Sequence, residues 1–218
     1  MEIYINNASK MIKGNTILND VNIALHSGYI YGLRGPNGSG KTMLMRLIAG
    51  LIRPTKGSVN INGNQLGREM DFPPSMGILI ENPAFISYYT GIKNLELLAS
   101  IRSKITLSDI RSALIRVGLD PDDKRTLRKY SLGMKQRLGI AAAIMEKPDL
   151  IILDEPTNAL DEGAIFQIVQ LLHEERERGA LIVITCHDTE RLRCICDEIY
   201  YICEGCVSKE IQFNNCDV

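Results

Sequence analysis

One glycine-rich segment limits the possible folds of this chain more than any other feature. Residues 35–42 read Gly-Pro-Asn-Gly-Ser-Gly-Lys-Thr and fit the pattern G-x-x-x-x-G-K-[ST]. A strand is predicted before the segment, at Tyr29–Leu33, and a helix after it, from Lys41 to about Gly50. This is the strand–loop–helix context of a phosphate-binding loop. A chance glycine-rich turn is the alternative, and the complete pattern in this context disfavours it.

The chemistry of the loop predicts a nucleotide site. Its glycines let successive backbone N–H groups point at phosphate oxygens, and the helix N-terminus adds partial positive charge. Lys41 would reach the β- and γ-phosphates, and the Thr42 hydroxyl would bind Mg²⁺. The residues predicted to hold the nucleotide are Gly35, Pro36, Asn37, Gly38, Ser39, Gly40, Lys41 and Thr42.

The composition excludes several functional classes. With 218 residues, 45% of them hydrophobic and 23% charged, the chain is expected to form a single domain over residues 1–218. A net charge of -1 leaves no excess of Lys and Arg for a nucleic-acid partner. No apolar stretch reaches the roughly 18 residues that cross a bilayer, and Met1–Tyr4 does not begin a secretory signal. We therefore expect any link to a membrane to depend on a partner.

The predicted elements change in character along the chain. The first third contains short strands such as Glu2–Asn6 and Ser58–Asn62, whereas the middle is mostly helical. The last third alternates helices with the apolar segments Leu150–Leu153 and Leu181–Thr185, which suit strands buried on both faces. This alternation predicts an α/β fold with a largely parallel core sheet.

Local signals mark several helix ends and one hairpin. Thr106 with Asp109 forms a capping pattern, and Ser131 is expected to cap the next helix. The six cysteines lie between Cys186 and Cys216 and are expected to be reduced. A two-residue hairpin turn between Cys203 and Cys206 is favoured over a metal site, because a single short cysteine pair is a weak metal signal.

Two acids follow the first buried strand of the last third. Asp154 and Glu155 come directly after Leu153, at the strand end where α/β sheets bind ligands. Asp154 would hold Mg²⁺, and Glu155 would activate the attacking water as a general base. The alternative is a helix cap and an exposed acid, and this motif alone leaves the two interpretations about even. The phosphate loop at residues 35–42 favours the metal-side role of Asp154 and Glu155, because such a loop needs an acid at its metal side.

Three further segments complete a characteristic order of motifs. They are Tyr130–Arg137 (Tyr-Ser-Leu-Gly-Met-Lys-Gln-Arg), Asn158–Asp161 and Cys186–Asp188. Together with the glycine loop and the two acids, they resemble the nucleotide-binding subunit of ABC transporters over nearly the whole chain. In that family the three segments are the signature motif, the D-loop and the segment carrying the switch histidine, here His187.

The resemblance implies a fold, a reaction and two protein partners. The fold would be a P-loop NTPase core with an N-terminal antiparallel β subdomain and an α-helical subdomain inserted at about residues 84–146. The chain would bind ATP and Mg²⁺ and hydrolyse ATP, held at the inner face of the plasma membrane by an integral-membrane permease subunit. A second nucleotide-binding subunit, an identical copy in the ATP state, would pair with it head to tail.

The same resemblance assigns roles to individual residues. Ser131 and Gly133 would face the γ-phosphate of the ATP bound to the other subunit, at a helix N-terminus. His187 would contact the γ-phosphate in its own subunit, and Asp161 would carry signals across the dimer. Without the motif order, His187 would more simply be a solvated residue after a strand.

Several positions depart from the family pattern. Tyr130, Leu132 and Met134 stand where the signature L-S-G-G-Q has Leu, Gly and Gln. Glu81 replaces the Q-loop glutamine and is expected at the metal side, next to Mg²⁺. Ile12 falls near the position of the aromatic residue that stacks on adenine. Losing that ring removes on the order of 1 kcal/mol of stacking, so modest nucleotide affinity is expected.

The departures resemble one branch of the family. Leu79–Phe85 and Tyr130–Arg137 are similar to the corresponding segments of bacitracin-resistance and lantibiotic-immunity exporters, which remove peptide antibiotics from the membrane. A soluble ABC-type ATPase of repair or translation, or a regulator without turnover, is the alternative. The stretch from Thr42 to Tyr130 is too short for the coiled-coil insertion of DNA-repair members. Lys41, Glu155 and His187 argue against a regulator, whereas Leu132 and Glu81 leave that alternative open.

The family also implies a docking groove for the permease. It would lie at about Asn82–Leu98, between the Q-loop and the helical subdomain. Phe85, Tyr88 and Tyr89 would supply aromatic contact area, which is typical of interfaces. Packing of these rings inside the helical subdomain is an equally open alternative.

Overall fold

The computed structural model describes residues 1–81 and 83–210. A short 3-10 turn at Leu127–Lys129 precedes the fourth helix. In chain order the strands and helices are β1 (Glu2–Ile12), β2 (Asn15–His26), β3 (Ile30–Arg34), α1 (Lys41–Ile48), β4 (Lys56–Ile61), β5 (Asn64–Gln65), β6 (Met76–Leu79), α2 (Gly91–Arg102), α3 (Leu107–Arg116), α4 (Leu132–Ile144), β7 (Leu150–Leu153), α5 (Glu162–Glu177), β8 (Leu181–Thr185), α6 (Thr189–Ile195), β9 (Glu198–Cys203) and β10 (Cys206–Glu210).

Two sheets organise the chain and confirm the predicted α/β class. One sheet has the order β2-β1-β4-β5 with antiparallel neighbours. The other has the order β10-β9-β3-β8-β7-β6; its strands are parallel except that β10 pairs antiparallel with β9. Every residue of β7 and β8 is buried, which explains their continuous apolar sequences.

The strand order brings distant motifs to one edge. Strands β3, β8, β7 and β6 lie side by side, and their carboxyl ends lead into Gly35, Cys186, Asp154 and Ile80 respectively. Parallel strands end at the same edge of a sheet, and ligands bind there in open α/β folds. The topology therefore gathers the predicted site residues, although they are spread over most of the chain.

Local predictions of caps and turns agree with the structure. Thr106 and Asp109 form a reciprocal capping box at the start of α3, and the Ser131 side chain caps α4. Cys203 of β9 lies opposite Cys206 of β10 in the antiparallel strand register, which confirms the predicted hairpin. In residues 1–81 and 83–210, no group of three or more His, Cys, Asp or Glu side chains could hold a metal ion; Cys216 lies outside this part of the chain.

Three of the strands and helices were not predicted from the sequence: the two-residue strand β5, strand β6 and helix α2. Gly77 interrupts the short β6, yet a Cβ there would lie 1.7 Å from the Ala143 carbonyl oxygen. Glycine is thus required by the close approach of α4. In α2 the buried Asn94 accepts from the Ile86 N–H (2.7 Å) and donates to the Ile86 and Thr90 carbonyls, which links the helix to the loop before it.

Other differences concern element ends. Strand β1 extends well beyond the predicted segment Glu2–Asn6, because register shifts let its pairing with β2 continue past Ile5. Helix α1 ends at Ile48, two residues earlier than predicted. Helices α2, α3 and α4 lie between β6 and β7; the limits 84–146 for this insertion stay a prediction. Over the described ranges, no helix is long and apolar enough to cross a membrane.

Candidate nucleotide site

Lys41 turns back into the glycine-rich loop. Its ammonium donates to the carbonyl oxygens of Gly35 (2.8 Å) and Pro36 (3.0 Å). Gly40 is the N-cap residue of α1 and has φ 112°, and within the described residues no side chain caps that helix. The N–H groups of the first turn therefore remain available to an anion, and the helix dipole favours negative charge there. The Lys41 ammonium and the N-terminus of α1 thus lie at the same loop, which is the combination that a phosphate site requires.

Gly35 allows the loop to pack closely on β9. A Cβ at Gly35 would lie 2.0 Å from the Ile202 carbonyl oxygen, and φ is 153°. The turn after β9 adds support, because the Gly205 N–H donates to the Ser39 carbonyl at 3.2 Å. The Ser39 hydroxyl oxygen is buried without a hydrogen-bond partner among residues 1–81 and 83–210. Buried polar atoms normally have partners, so this loop fits a ligand with polar oxygens.

Thr42 and Asp154 meet at the predicted metal side. The Thr42 hydroxyl donates to Asp154 Oδ2 at 2.9 Å, and the Thr185 hydroxyl donates to Asp154 Oδ1 at 2.6 Å. Mg²⁺ prefers oxygen ligands, and proteins usually bind it with one or two carboxylates while waters and substrate phosphates complete the shell. The donors present here fit that ion.

Glu155 and His187 are in direct contact at the ends of β7 and β8. His187 Nε2 lies 2.6 Å from Glu155 Oε1. Glu155 has φ 50°, a conformation that costs free energy in an L-residue. Its N–H donates to Thr185 Oγ1 (2.8 Å), and its carbonyl accepts from Gln136 Nε2 (2.9 Å). Bonds on both sides of the residue therefore hold the backbone that carries the carboxylate.

The signature segment begins α4 and packs against the D-loop. The Ser131 hydroxyl accepts from the Met134 N–H at 3.2 Å. A Cβ at Gly133 would lie 2.7 Å from the Ala159 carbonyl oxygen, so glycine permits this approach. Leu132 is 62% exposed, and its side chain therefore does not fill the space between helix and loop.

Tyr130, the first departure in the signature, is a packing residue. It is buried in the core cluster that includes residues of α2, α3 and α4, and the Arg125 guanidinium lies 5.9 Å from its ring centroid. Burial raises the pKa of the Tyr130 hydroxyl.

Glu81 and Asp161 have local partners. The Glu81 carboxylate lies 2.6 Å from the Arg46 guanidinium of α1. Asp161 caps α5 by accepting from the Ala164 N–H at 2.9 Å. The metal-side role of Glu81 and the signalling role of Asp161 stay predictions. Asn82, the first residue of the predicted docking groove, lies outside the described residues.

Comparison with known proteins decides the family. The sequence profile described as ABC transporter matches residues 18–158. The chain belongs to the ABC transporter family. This confirms the resemblance inferred from the ordered motifs, and the subunit accordingly binds and hydrolyses ATP.

Relatives and solved structures agree with this membership. The subunit is 46% identical to the uncharacterized ABC transporter ATP-binding protein YybJ of Bacillus subtilis (strain 168), over 89% of each chain. It is 40% identical to the bacitracin transport ATP-binding protein BcrA of Enterococcus faecalis (95% of this chain, 68% of BcrA). Identity to the lantibiotic transport ATP-binding protein SrtF of Streptococcus pyogenes is 35% (97% and 91%).

Among solved structures, the fold matches the dimeric bacterial ABC transporter cassette MJ0796. The TM-score is 0.85 at 25% identity, with 97% of this chain and 100% of that one covered. The post-hydrolysis form of MJ0796 bound to ADP and Pi gives a TM-score of 0.84. The predicted P-loop NTPase core with antiparallel and helical additions is therefore confirmed.

Sequence reasoning missed three residues that bond to acids of the ABC subunit's site. Thr185 bonds to the Asp154 carboxylate and to the Glu155 N–H. Gln136 bonds to the Glu155 carbonyl, and Arg46 pairs with Glu81. Thr185 stands two residues before His187 at a strand end, which is a signal that could have been used. No pattern in the sequence links Arg46 or Gln136 to these acids, because the contacts join separate elements.

Proposed function

We propose that the subunit hydrolyses ATP with residues at the carboxyl edge of the parallel sheet and drives a peptide-antibiotic exporter. The reaction rests on one observation: Thr42 bonds to Asp154, and His187 contacts Glu155, at that edge. The cargo rests on BcrA and SrtF, which are named for bacitracin and lantibiotic transport. The bacitracin or lantibiotic class is therefore the proposed substrate.

In the proposed mechanism each residue has one task. Lys41 and the loop N–H groups bind the phosphates of ATP. Thr42 and Asp154 would hold Mg²⁺, which when bound would supply positive charge against the charge that develops on the phosphate oxygens. Glu155 takes the proton of the attacking water, and His187, which contacts the Glu155 carboxylate, is proposed to reach the γ-phosphate bound by its own subunit. Glu81 is proposed as a further acid at the metal side.

We propose that a second copy completes the site in the ATP state. Ser131 and Gly133 would offer the N-terminus of α4 to the γ-phosphate bound by the other subunit. The first turn of α4 contains no acidic residue, which favours an anion there. The dimeric state of the cassette MJ0796 supports this pairing.

A groove beside the Q-loop is the proposed docking site of the membrane permease. It has a volume of about 330 Å³. Its mostly apolar lining comes from α1 and the segment after it, β6, the Q-loop, α2 and α4, with residues Arg46, Leu51, Ile78, Leu79, Ile80, Pro83, Ala84, Phe85, Leu98, Gly139 and Ala142. We propose that residues 84–146 form the helical subdomain on one side of it. The subunit would thereby sit on the inner face of the plasma membrane.

Phe85 lines this groove, and the two tyrosines that follow it in the chain differ in exposure. Tyr88 is 62% exposed, and Tyr89 is half-buried with its ring 4.9 Å from that of Tyr88. Replacing both with Ser is expected to remove the subunit from washed membranes of cells that also produce the permease, because aromatic contact area is lost. ATP affinity of the purified variant should stay within about twofold of wild type.

Tyr4→Ser is the matched control for this pair, since Tyr4 is exposed on the antiparallel sheet. Its membrane recovery should equal that of the wild type. If the Tyr88/Tyr89 variant instead loses ATP affinity, the rings have a folding role and the docking proposal is wrong.

Phosphate release by the purified subunit tests the proposed metal. With ATP and Mg²⁺ we expect steady release, and with excess EDTA we expect background release, because Thr42 and Asp154 are proposed to act through the ion. Restoring Mg²⁺ should restore the rate. Release that is insensitive to EDTA would rule out the metal-side assignment of Asp154.

A separate experiment tests the cargo. Cells that produce the subunit with its permease should need a higher concentration of bacitracin or a lantibiotic for growth inhibition. Cells with the permease and an inactive Glu155→Gln subunit should not. Equal susceptibility of both strains would contradict the cargo while leaving the ATPase assignment intact.

A further inference from the structure

Thr185 lies at the end of β8, beside the two acids that follow β7. It is the last residue of β8 and is fully buried. Its hydroxyl donates to Asp154 Oδ1 at 2.6 Å, and its oxygen accepts from the Glu155 N–H at 2.8 Å. One side chain thus bonds to the side chain of one acid and the backbone of the next.

The first bond orients the Asp154 carboxylate. A hydroxyl has one proton to donate, and Thr185 directs it to Oδ1. Oδ2 is then turned toward the Thr42 hydroxyl of α1, at 2.9 Å. Thr185 therefore determines that Oδ2, and not Oδ1, is the Asp154 oxygen that faces Thr42 and the phosphate loop.

The second bond supports the unusual backbone at Glu155. With φ 50° the residue is in the left-handed region, which needs support from its surroundings in an L-residue. Thr185 holds the N–H, and Gln136 holds the carbonyl at 2.9 Å. The carboxylate then contacts His187.

We propose that Thr185 is a positioning residue that sets the metal-side oxygen of Asp154 and the backbone of Glu155 together. This inference rests on the proposed roles of the two acids. Outer residues that hydrogen-bond to metal ligands typically change metal affinity or activity by about 10–100-fold when they are replaced. Thr185 would act on both acids through a single hydroxyl.

Thr185→Val removes the hydroxyl at nearly constant volume. We expect kcat for ATP hydrolysis to fall about 10–100-fold, with KM for ATP changed less than about threefold, since Lys41 and the loop are untouched. The Mg²⁺ concentration for half-maximal rate should rise about tenfold. Thr185→Ser keeps both bonds and should restore kcat to within about threefold of wild type.

A binding measurement gives a readout that does not depend on turnover. Mn²⁺ binding to the subunit with a non-hydrolysable ATP analogue, followed by electron paramagnetic resonance, should weaken about tenfold in Thr185→Val and recover in Thr185→Ser. Thr157→Val is the matched control: Thr157 is also buried, and its hydroxyl contacts Cys186 Sγ at 3.6 Å. It should leave Mn²⁺ binding unchanged.

Two results of the Mn²⁺-binding measurement would overturn the Thr185 proposal. Wild-type Mn²⁺ binding in Thr185→Val, or failure of Thr185→Ser to restore it, would reduce Thr185 to a structural role. If the Val variant does not fold, Thr185→Ala provides the same comparison with Ser. Wild-type turnover in Glu155→Gln would instead exclude Glu155 as the base, and with it the part of the Thr185 proposal that concerns Glu155.

Discussion

Replacing Glu155 with Gln is expected to lower steady-state ATP hydrolysis about 10²–10⁴-fold while ATP still binds. Glutamine keeps the shape of the side chain but cannot accept the proton of the attacking water. The backbone bonds of Glu155 to Thr185 and Gln136 do not involve the side chain, so the local fold should persist. Phosphate release and equilibrium ATP binding measure the two effects separately.

The same variant should accumulate as a dimer with ATP. If hydrolysis separates the two subunits, a subunit that binds but does not hydrolyse ATP remains paired, and size-exclusion chromatography with ATP detects it. Glu174→Gln is the control, since Glu174 is exposed and pairs with Arg116, away from the site. Wild-type turnover in Glu155→Gln would exclude Glu155 as the base.

Replacing Lys41 with Ala is expected to weaken ATP binding about 10–100-fold, because hydrogen bonds to charged groups contribute about 1.5–3 kcal/mol each. Lys41 provides the ammonium in a loop whose other donors are neutral N–H groups. In this structure its ammonium bonds to the Gly35 and Pro36 carbonyls, and ATP phosphates would compete for the same ammonium. Fluorescence titration with a labelled ATP analogue measures the affinity.

Lys93→Ala tests whether any lysine would have this effect. Lys93 is exposed on α2 and pairs with Glu96, so its loss should leave ATP affinity unchanged. The Lys41 variant should retain a cooperative thermal transition, since the replaced side chain bonds only to loop carbonyls among the described residues. Wild-type ATP affinity in Lys41→Ala would show that the phosphates bind elsewhere.

Much of the fold and several site residues could be predicted from local patterns. Leu150–Leu153 and Leu181–Thr185 were predicted as strands with the bounds that the structure has. In both, the continuous apolar sequence reflects burial on two faces. Strand β6 was missed because Gly77 weakens its pattern, and the close approach of α4 that requires this glycine is a tertiary contact.

The amino-acid sequence by itself determined the phosphate loop and the helix caps, because these depend on residues that are close together in the chain, and it determined the family through the order of its motifs. Glycines at the loop and Ser131 at a helix start act through backbone groups a few positions away. Tertiary structure alone decided that Thr185 bonds to Asp154 and Glu155 and that Gln136 reaches the Glu155 carbonyl. Those contacts exist because β8 lies beside β7 and α4 packs near the strand ends, arrangements set by burial of the whole core.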